Sequence, residues 1–378
     1  MKKLSKILLQ ILILLIPFYF IRFSIGPIPT TLLEVYIYAV FLFFLFSGNL
    51  KLRGKQKFIL PAIVFLLFSW VGAVADPELM RGLGLWKGYF FDGFLVYLLF
   101  LSSDSFDDFT DIIFYSGALT GALALILFFS GVKSADGRLL DMDRLSPNYL
   151  AMFLAPIFVL GVFKSLKERT IVNYLSEAVI ILALFLTYSR GALVAISGAV
   201  IMAIFYYIKR AKPKLAIISL ILMLAAFCFG GYAVFKPDWS DHARKATSSN
   251  VRYYIWKTSL EIVKERPILG VGLGNFQDYF KNKTSTWVNY PEYISPEALT
   301  THNLYLELYL TCGLLGLIGF FYLVISSKFY QFKSLAVSLA IFAILFYGLV
   351  DTPIFRNDLA IIFWILLSLS ALASRKNA

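Results

Sequence analysis

Apolar runs of about 20 residues recur along this chain from its first residues to its last. A helix of that length crosses the hydrocarbon core of a bilayer, whereas the strands of an outer-membrane barrel give short, alternating segments. Hydrophobic residues make up 59% of the 378 residues and charged residues only 15%, so much of the apolar surface must face lipid. The sequence therefore predicts an all-α polytopic membrane protein and excludes a cytosolic enzyme, a secreted disulfide scaffold and a disordered chain.

Twelve segments have the composition of membrane-spanning helices. They are residues 5–23, 31–47, 58–75, 88–101, 112–131, 148–163, 171–189, 191–208, 215–235, 303–325, 334–350 and 359–373. Lys and Arg cluster at alternate ends of these segments, which by the positive-inside rule predicts that both termini are cytoplasmic. These cytoplasmic clusters account for the net charge of +12. We therefore expect the partner of the chain to be a lipid bilayer and not a nucleic acid. The first segment resembles a signal peptide but lacks a small-residue cleavage site, so we expect it to be retained.

One long polar segment interrupts the predicted helices. It divides the chain into residues 1–235 with nine helices, 236–302 as a large periplasmic loop, and 303–378 with three helices. Within the loop, residues 250–266 have the spacing of apolar residues that is typical of an amphipathic helix lying on a membrane surface.

The two histidines differ in their surroundings. His242 lies in a polar stretch, where a solvated surface residue is expected. His302 lies where the polar loop enters the tenth helix, and Thr300 or Thr301 is predicted to cap that helix. His302 would then fall in the first helical turn, where the helix dipole favours the neutral imidazole that a general base requires. A capping or interfacial histidine is the alternative.

Several charged residues are predicted to share the outer face with this histidine. Arg190 separates two apolar runs, Arg252 opens the amphipathic helix and Arg266 is its last residue, before Pro267. Guanidinium groups bind phosphate oxygens bidentately, so converging arginines suit a pyrophosphate; a salt bridge or a snorkelling head group is the alternative for each. Asp351, after the eleventh helix, can orient His302, pair with an arginine, or be an ordinary helix-end carboxylate.

Other motifs carry weaker signals. Asp141 and Asp143 have the spacing of a metal-binding pair, but such pairs are common in loops, and we expect no metal. The glycines of 270–274 lack the lysine and the strand of a phosphate loop, so they predict a closely packed turn. Cys228 and Cys312 form neither a zinc pattern nor a disulfide framework. Nothing in the sequence predicts a cofactor.

Four motifs follow one another along the second half of the chain, within residues 185–355. They are Ser189-Arg190-Gly191-Ala192; Arg252-x-x-x-Trp256 with Pro267-x-x-Gly270-x-Gly272-x-Gly274-x-Phe276; His302-Asn303-x-Tyr305-Leu306 with Gly313-x-x-Gly316; and Asp351. In this order, and with Arg144 and Pro147-Asn148 before them, they resemble the O-antigen ligase and polymerase superfamily of bacterial envelope enzymes.

The resemblance implies a fold similar to membrane glycosyltransferases of the C type and a metal-independent reaction in lipopolysaccharide biosynthesis. A glycan would pass from undecaprenyl pyrophosphate to a hydroxyl group at the periplasmic face of the inner membrane. His302 would deprotonate the acceptor hydroxyl, Arg190 and Arg252 would hold the pyrophosphate, and Asp351 would support the site. The further substrate-binding candidates are Arg144 and Arg266.

The acceptor distinguishes the members of this superfamily. A ligase transfers the glycan to the lipid A core oligosaccharide, and a polymerase transfers it to another lipid-linked repeat. The ligase is favoured because one large loop carries both Arg252 and His302, and because residues 132–147 form only a short loop. A transporter of lipid-linked sugars is a weaker alternative, since the candidate residues cluster near one membrane face. A non-catalytic envelope scaffold is the remaining alternative.

Overall fold

A computed structural model describes residues 2–26, 28–103, 106–235, 248–285 and 299–376. In chain order the helices of these residues are α1 (Lys2–Leu15), α2 (Leu32–Phe46), α3 (Gln56–Val74), α4 (Leu79–Trp86), α5 (Asp92–Leu101), α6 (Phe106–Phe129), α7 (Pro147–Glu168), α8 (Ile171–Leu186), α9 (Arg190–Ala211), α10 (Pro213–Phe235), α11 (Ser248–Glu265), α12 (Phe276–Thr284), α13 (Leu304–Ser326), α14 (Leu335–Tyr347) and α15 (Asn357–Lys376). The amphipathic segment predicted at 250–266 is the helix α11.

Seven helical stretches among the described residues are long and apolar enough to cross a membrane, and four shorter apolar helices of 10–17 residues accompany them. An α-helix satisfies its own backbone hydrogen bonds, which is what a chain in hydrocarbon requires. The predicted polytopic helical fold is therefore confirmed, and the chain is a membrane-integral protein. The count of twelve spans and the large periplasmic loop stay predictions.

The first helix is shorter than predicted. It ends at Leu15, and Pro17 lies in a short 3-10 turn that follows it, since proline lacks an amide hydrogen for a longer helix. Strands β1 (Arg22–Ile25) and β2 (Ile28–Thr31) then pair antiparallel as a hairpin. The prediction of one helix over 5–23 is thus wrong at its end. The fourth predicted helix begins earlier than 88, because α4 continues through a π-turn at Lys87–Phe91 into α5.

Helices from both ends of the chain share one hydrophobic core. α13 packs along α3, α14 packs on α7 and α9, and α15 packs on α5. The core extends from Leu9 in α1 to Leu372 in α15. α15 lies deepest, and its Trp364 is only 1% exposed. A Cβ atom at Gly93 would overlap the Trp364 ring, so α5 approaches α15 as closely as bare backbone allows.

The segment that follows α11 packs against a break in α13. Gly313 has a φ of +72° and interrupts the helix. On either side of the break, the Val271 amide donates to the Leu310 carbonyl over 2.6 Å and the Leu314 amide donates to the Ile268 carbonyl over 2.9 Å. Backbone groups that the break releases are therefore satisfied by this segment.

The glycine-rich segment forms the closely packed turn that the sequence predicts. Gly270, Gly272 and Gly274 have φ angles of +68°, +89° and +88°, a region that glycine enters without steric cost. Between them, the Leu273 amide donates to the Gly72 carbonyl of α3 over 3.0 Å. The motif thus joins α3 and α13 and fixes the far end of α11.

We expect Gly72→Ala to destabilise the protein by about 1–3 kcal/mol, as overpacking does, because a Cβ there would overlap the Thr311 carbonyl oxygen. Gly84→Ala is the matched control, since its Cβ would meet no atom within 4 Å and alanine favours the helix by about 1 kcal/mol. Thermal unfolding in detergent, followed by tryptophan fluorescence, measures both. An unchanged midpoint for Gly72→Ala would contradict the close packing of α3 on α13.

Candidate active site

A cavity of about 480 Å³ lies where several helix ends meet. The loop before α7, the start of α7, the α8–α9 turn, α11, the segment before α13 and the segment after α14 all contribute to it. The lining residues are Asp136, Arg138, Asn148, Tyr188, Ser189, Arg190, Gly191, Val251, Arg252, His302 and Asp351. The structure therefore brings together Arg190, Arg252, His302 and Asp351, which lie far apart in the sequence. We call this space the histidine cavity.

A tight turn places Arg190 at the cavity. Tyr188 adopts a φ of +48° between α8 and α9, and the Ser189 hydroxyl accepts from the Ala192 amide as the N-cap of α9. The same hydroxyl lies 2.7 Å from the Tyr347 hydroxyl of α14. A Cβ at Gly191 would collide with the Tyr347 ring. The Ser-Arg-Gly sequence thus combines a helix cap, a cation and a close approach to α14.

His302 precedes α13 instead of lying in its first turn. Asn303 is the N-cap, and its side chain accepts from the amides of Tyr305 and Leu306, both over 3.0 Å. Thr301 instead donates its hydroxyl to the Asn303 carbonyl. The expectation that a threonine caps this helix is therefore wrong, since the Asn303 amide oxygen reaches the free backbone groups. His302 itself has a φ of +48°, which is uncommon for a residue with a side chain.

His302 faces a buried carboxylate. Its Nδ1 lies 3.1 Å from Asp351 Oδ1, and Asp351 is 4% exposed. Burial opposes the ionisation of Asp351, but His302, Arg252 and the Thr352 amide together hold its pKa below the ordinary value. An ionised Asp351 requires the proton on Nδ1, which leaves Nε2 as the basic nitrogen of the ring.

Arg252 completes the cluster from α11. Its Nε donates to the Val350 carbonyl over 3.1 Å, and its terminal nitrogen lies 3.9 Å from Asp351 Oδ2. Burial lowers the pKa of Arg252, and the Asp351 carboxylate opposes that effect. One turn along α11, Trp256 donates to the Thr301 carbonyl over 3.0 Å. The Arg-x-x-x-Trp spacing therefore fixes α11 to the segment that carries His302.

The cavity lining carries more cations than anions. Three guanidinium groups, from Arg138, Arg190 and Arg252, accompany the carboxylates of Asp136 and Asp351. Arg138 Nε donates to Asp136 over 2.6 Å. A site of this composition, with a histidine and its carboxylate at one wall, suits a ligand with a phosphate or pyrophosphate group.

Comparison with known proteins matches the centre of this chain to a family. The family model described as O-antigen ligase matches residues 175–321. The resemblance to the O-antigen ligase and polymerase superfamily is confirmed. The matched segment contains Arg190, Arg252 and His302, whereas Asp351 lies beyond it. The match shows that the centre of the chain is similar to this family.

A curated relative adds little about activity. It is an uncharacterised protein of Haemophilus influenzae, 25% identical over 205 residues, and the match covers 49% of each protein. The chain therefore spans about half the length of the curated relative that it matches.

Two predicted substrate-binding arginines do not line the histidine cavity. Arg266 follows α11, 14 residues after Arg252, which is about 21 Å along a helix. Arg144 is exposed and has a φ of +58°, because the Asp141 carboxylate accepts from the amides of Leu145 and Ser146 and tightens this loop. The structure thus separates both side chains from the cluster.

The paired carboxylates before α7 bind arginines. Asp141 accepts from Arg356 over 2.6 Å, and Asp143 accepts from Arg22 over 2.5 Å. Across the described part of the chain, there is no group of three His, Cys, Asp or Glu side chains placed to hold a metal ion. His242 lies outside the described residues.

Sequence reasoning missed four side chains that border or support the cavity. Asp136 and Arg138 lie in a short loop with no pattern of their own, and only their place in space reveals them. Asn148 belongs to the Pro147-Asn148 pair that contributes to the family resemblance, and this pair is the only sequence pattern that could have pointed to it. Tyr347 lies in an apolar helix, and nothing in its neighbourhood predicts its 2.7 Å contact with Ser189.

The lowered pKa of Asp351 gives stability a pH dependence. A carboxylate whose pKa is lower in the folded state than in the unfolded state stabilises the fold above the unfolded value, and this contribution is lost as the pH falls through the folded value. We expect Asp351→Asn to cost about 3 kcal/mol near neutral pH, because it leaves buried partners unpaired. The difference from wild type should persist down to about pH 4, the ordinary pKa of aspartate, and shrink as the pH falls further.

Thermal unfolding of both proteins in detergent across this pH range measures the difference. Asp278→Asn is the control, because that carboxylate is mostly exposed and lies 3.8 Å from its arginine; it should change stability little at any pH. A penalty for Asp351→Asn that stays constant across the range would show that the ionised carboxylate does not stabilise this cluster.

Proposed function

We propose that this chain is an O-antigen ligase. It transfers a glycan from undecaprenyl pyrophosphate to a hydroxyl of the lipid A core oligosaccharide, at the periplasmic face of the inner membrane. The observation that carries the proposal is one cavity in which His302, hydrogen-bonded to a buried Asp351, faces the same space as Arg190 and Arg252. The family match over residues 175–321 supports it.

The reaction follows from these positions. His302 Nε2 takes the proton of the acceptor hydroxyl, and the acceptor oxygen forms a bond to the anomeric carbon of the donor glycan. The bond from that carbon to the pyrophosphate oxygen breaks, and the lipid pyrophosphate leaves with the electron pair. Asp351 stabilises the imidazolium that forms and holds the ring through Nδ1.

The arginines act on the donor. Arg190 and Arg252 bind pyrophosphate oxygens and stabilise the negative charge that grows as the glycosidic bond breaks. A guanidinium presents two parallel donors to such a group, which a lysine does not. The energy for transfer comes from the pyrophosphate-linked donor, so the proposed reaction uses neither a cofactor nor a metal, and Asp141 and Asp143 are engaged by arginines.

The polymerase is the alternative with the same chemistry and a different acceptor. The ligase is preferred because one polar segment of the sequence carries both the arginine of α11 and the histidine before α13. A transporter is less favoured, since the four candidate side chains line one cavity at the helix ends and a transport path needs polar groups deeper in the bundle.

We expect His302→Ala to lower transfer at least about 100-fold, which is the scale of general-base catalysis, with donor binding nearly unchanged. The assay offers lipid-linked glycan with lipid A core or with a second lipid-linked repeat, in separate reactions. His242→Ala is the control, as the other histidine of the chain. Normal turnover by His302→Ala would remove the general-base role, and elongated lipid-linked product would make the protein a polymerase.

We expect Arg190→Ala and Arg252→Ala each to weaken binding of undecaprenyl pyrophosphate about tenfold or more, since a charge-assisted hydrogen bond contributes roughly 1.5–3 kcal/mol. Arg190→Lys and Arg252→Lys should recover only part of this affinity. Arg144→Ala and Arg266→Ala are matched controls outside the cavity. Titration of the purified protein with undecaprenyl pyrophosphate measures all six, and equal losses in the control pair would contradict the assignment.

A further inference from the structure

A second cavity, of about 650 Å³, opens beside the β1–β2 hairpin. Its walls are the hairpin, the start of α2, the π-turn after α4, the first turn of α7 and the segment leading into α15. We call it the hairpin cavity. Nothing in the proposed transfer step uses these residues.

The two cavities are neighbours. Asn148 lines the histidine cavity and the next residue, Tyr149, lines the hairpin cavity. Likewise, Asp351 lines the first cavity, and Phe355 and Arg356 of the same loop line the second. The first turn of α7 and the loop before α15 therefore border both cavities.

Aromatic rings and fixed polar groups line the hairpin cavity together. Tyr89 and Phe355 meet edge to face with their centroids 5.7 Å apart, and Arg356 lies over the Tyr149 ring at 4.2 Å. Glu34 and Asn357 supply a carboxylate and an amide, joined by a 2.9 Å hydrogen bond. A sugar presents both kinds of surface, an apolar C–H face for a ring and hydroxyl groups for polar side chains.

The charged residues that line the hairpin cavity, Arg22, Glu34 and Arg356, form ion pairs with partners around it. The ion pairs are Arg356 with Asp141 and Asp358, each at 2.6 Å; Arg22 with Asp143 at 2.5 Å; and Lys87 with Glu34 at 2.8 Å. Asp92 adds a further carboxylate 3.9 Å from Lys87. These ion pairs hold the polar side chains of the cavity in fixed positions, where they can exchange hydrogen bonds with the hydroxyl groups of a sugar.

We propose that the hairpin cavity binds sugar residues of a glycan substrate beside the transfer site. This inference rests on the proposed function for its reaction, but saccharide binding is measurable without transfer. The chemistry is the same for the glycan of the donor and for that of the acceptor, so the experiment offers both.

The test compares Phe355→Leu and Tyr89→Leu with wild type. Leucine keeps apolar volume but removes the ring face, and Tyr89→Phe restores the ring as the conservative variant. Tyr174→Leu is the control, because Tyr174 is 46% exposed on α8 and lines neither cavity. Melting and size-exclusion profiles first select the variants that fold as wild type does.

Three measurements follow. Calorimetric titration uses the lipid-free glycan cleaved from the host's lipid-linked donor and, separately, the lipid-free core oligosaccharide. Transfer kinetics give KM for each full substrate, and titration with undecaprenyl pyrophosphate reports the arginine site. We expect about a tenfold loss of affinity for one oligosaccharide, or a tenfold higher KM, in both leucine variants. Undecaprenyl pyrophosphate affinity and kcat should stay within about twofold, and Tyr89→Phe should recover binding.

The outcomes separate the two proposals. Loss for the donor glycan or for the core oligosaccharide identifies which one occupies the cavity. If wild type binds an oligosaccharide through Phe355 and Tyr89 but transfers no glycan, the proposed transferase activity is contradicted and the proposed saccharide site is supported. Leucine variants that match Tyr174→Leu in every affinity and KM, or a wild type that binds neither oligosaccharide, would overturn the inference. A loss confined to undecaprenyl pyrophosphate would also overturn it.

Discussion

The candidate site depends on the ion pairs and hydrogen bonds of the buried Asp351 carboxylate. A carboxylate that is only 4% exposed is costly unless opposite charges and hydrogen-bond donors meet it. Those partners come from three separate parts of the chain: Arg252 of α11, His302 before α13, and the adjacent Thr352 amide. The helix ends are thus held in one arrangement by the same charge that sets the tautomer of the histidine.

Close backbone packing supports this arrangement from a distance. α11 carries Arg252 at one end, and at its other end the chain docks into the break of α13 through hydrogen bonds of Val271 and Leu314. Because Trp256 also donates to the Thr301 carbonyl, α11 is fixed at two places on the C-terminal side of Arg252. Precise placement of a guanidinium matters for a ligand bound bidentately, since a small displacement forfeits one of two parallel hydrogen bonds.

The sequence predicts the helices better than it predicts how their ends are built. Apolar runs locate helices because hydrocarbon leaves the backbone no other partners, and the motif order points to residues that the fold brings together. Thr300, Thr301 and Asn303 all have capping side chains, and only the structure shows that Asn303 is the cap. Likewise, residues predicted on the same side of the membrane need not lie close together. Arg138 lines the histidine cavity, whereas Arg144 is exposed and lies outside it.

The two cavities differ in the side chains that line them. Both contain arginines that meet carboxylates, but the histidine cavity places His302 beside the buried Asp351, whereas the hairpin cavity has the edge-to-face rings of Tyr89 and Phe355 in its wall. The first cavity therefore suits proton transfer, and the second suits contact with the C–H face of a sugar. The loop from Asp351 to Arg356 borders both cavities, so a glycan substrate placed along it would present its reacting bond to the histidine and a sugar ring to the aromatic side chains.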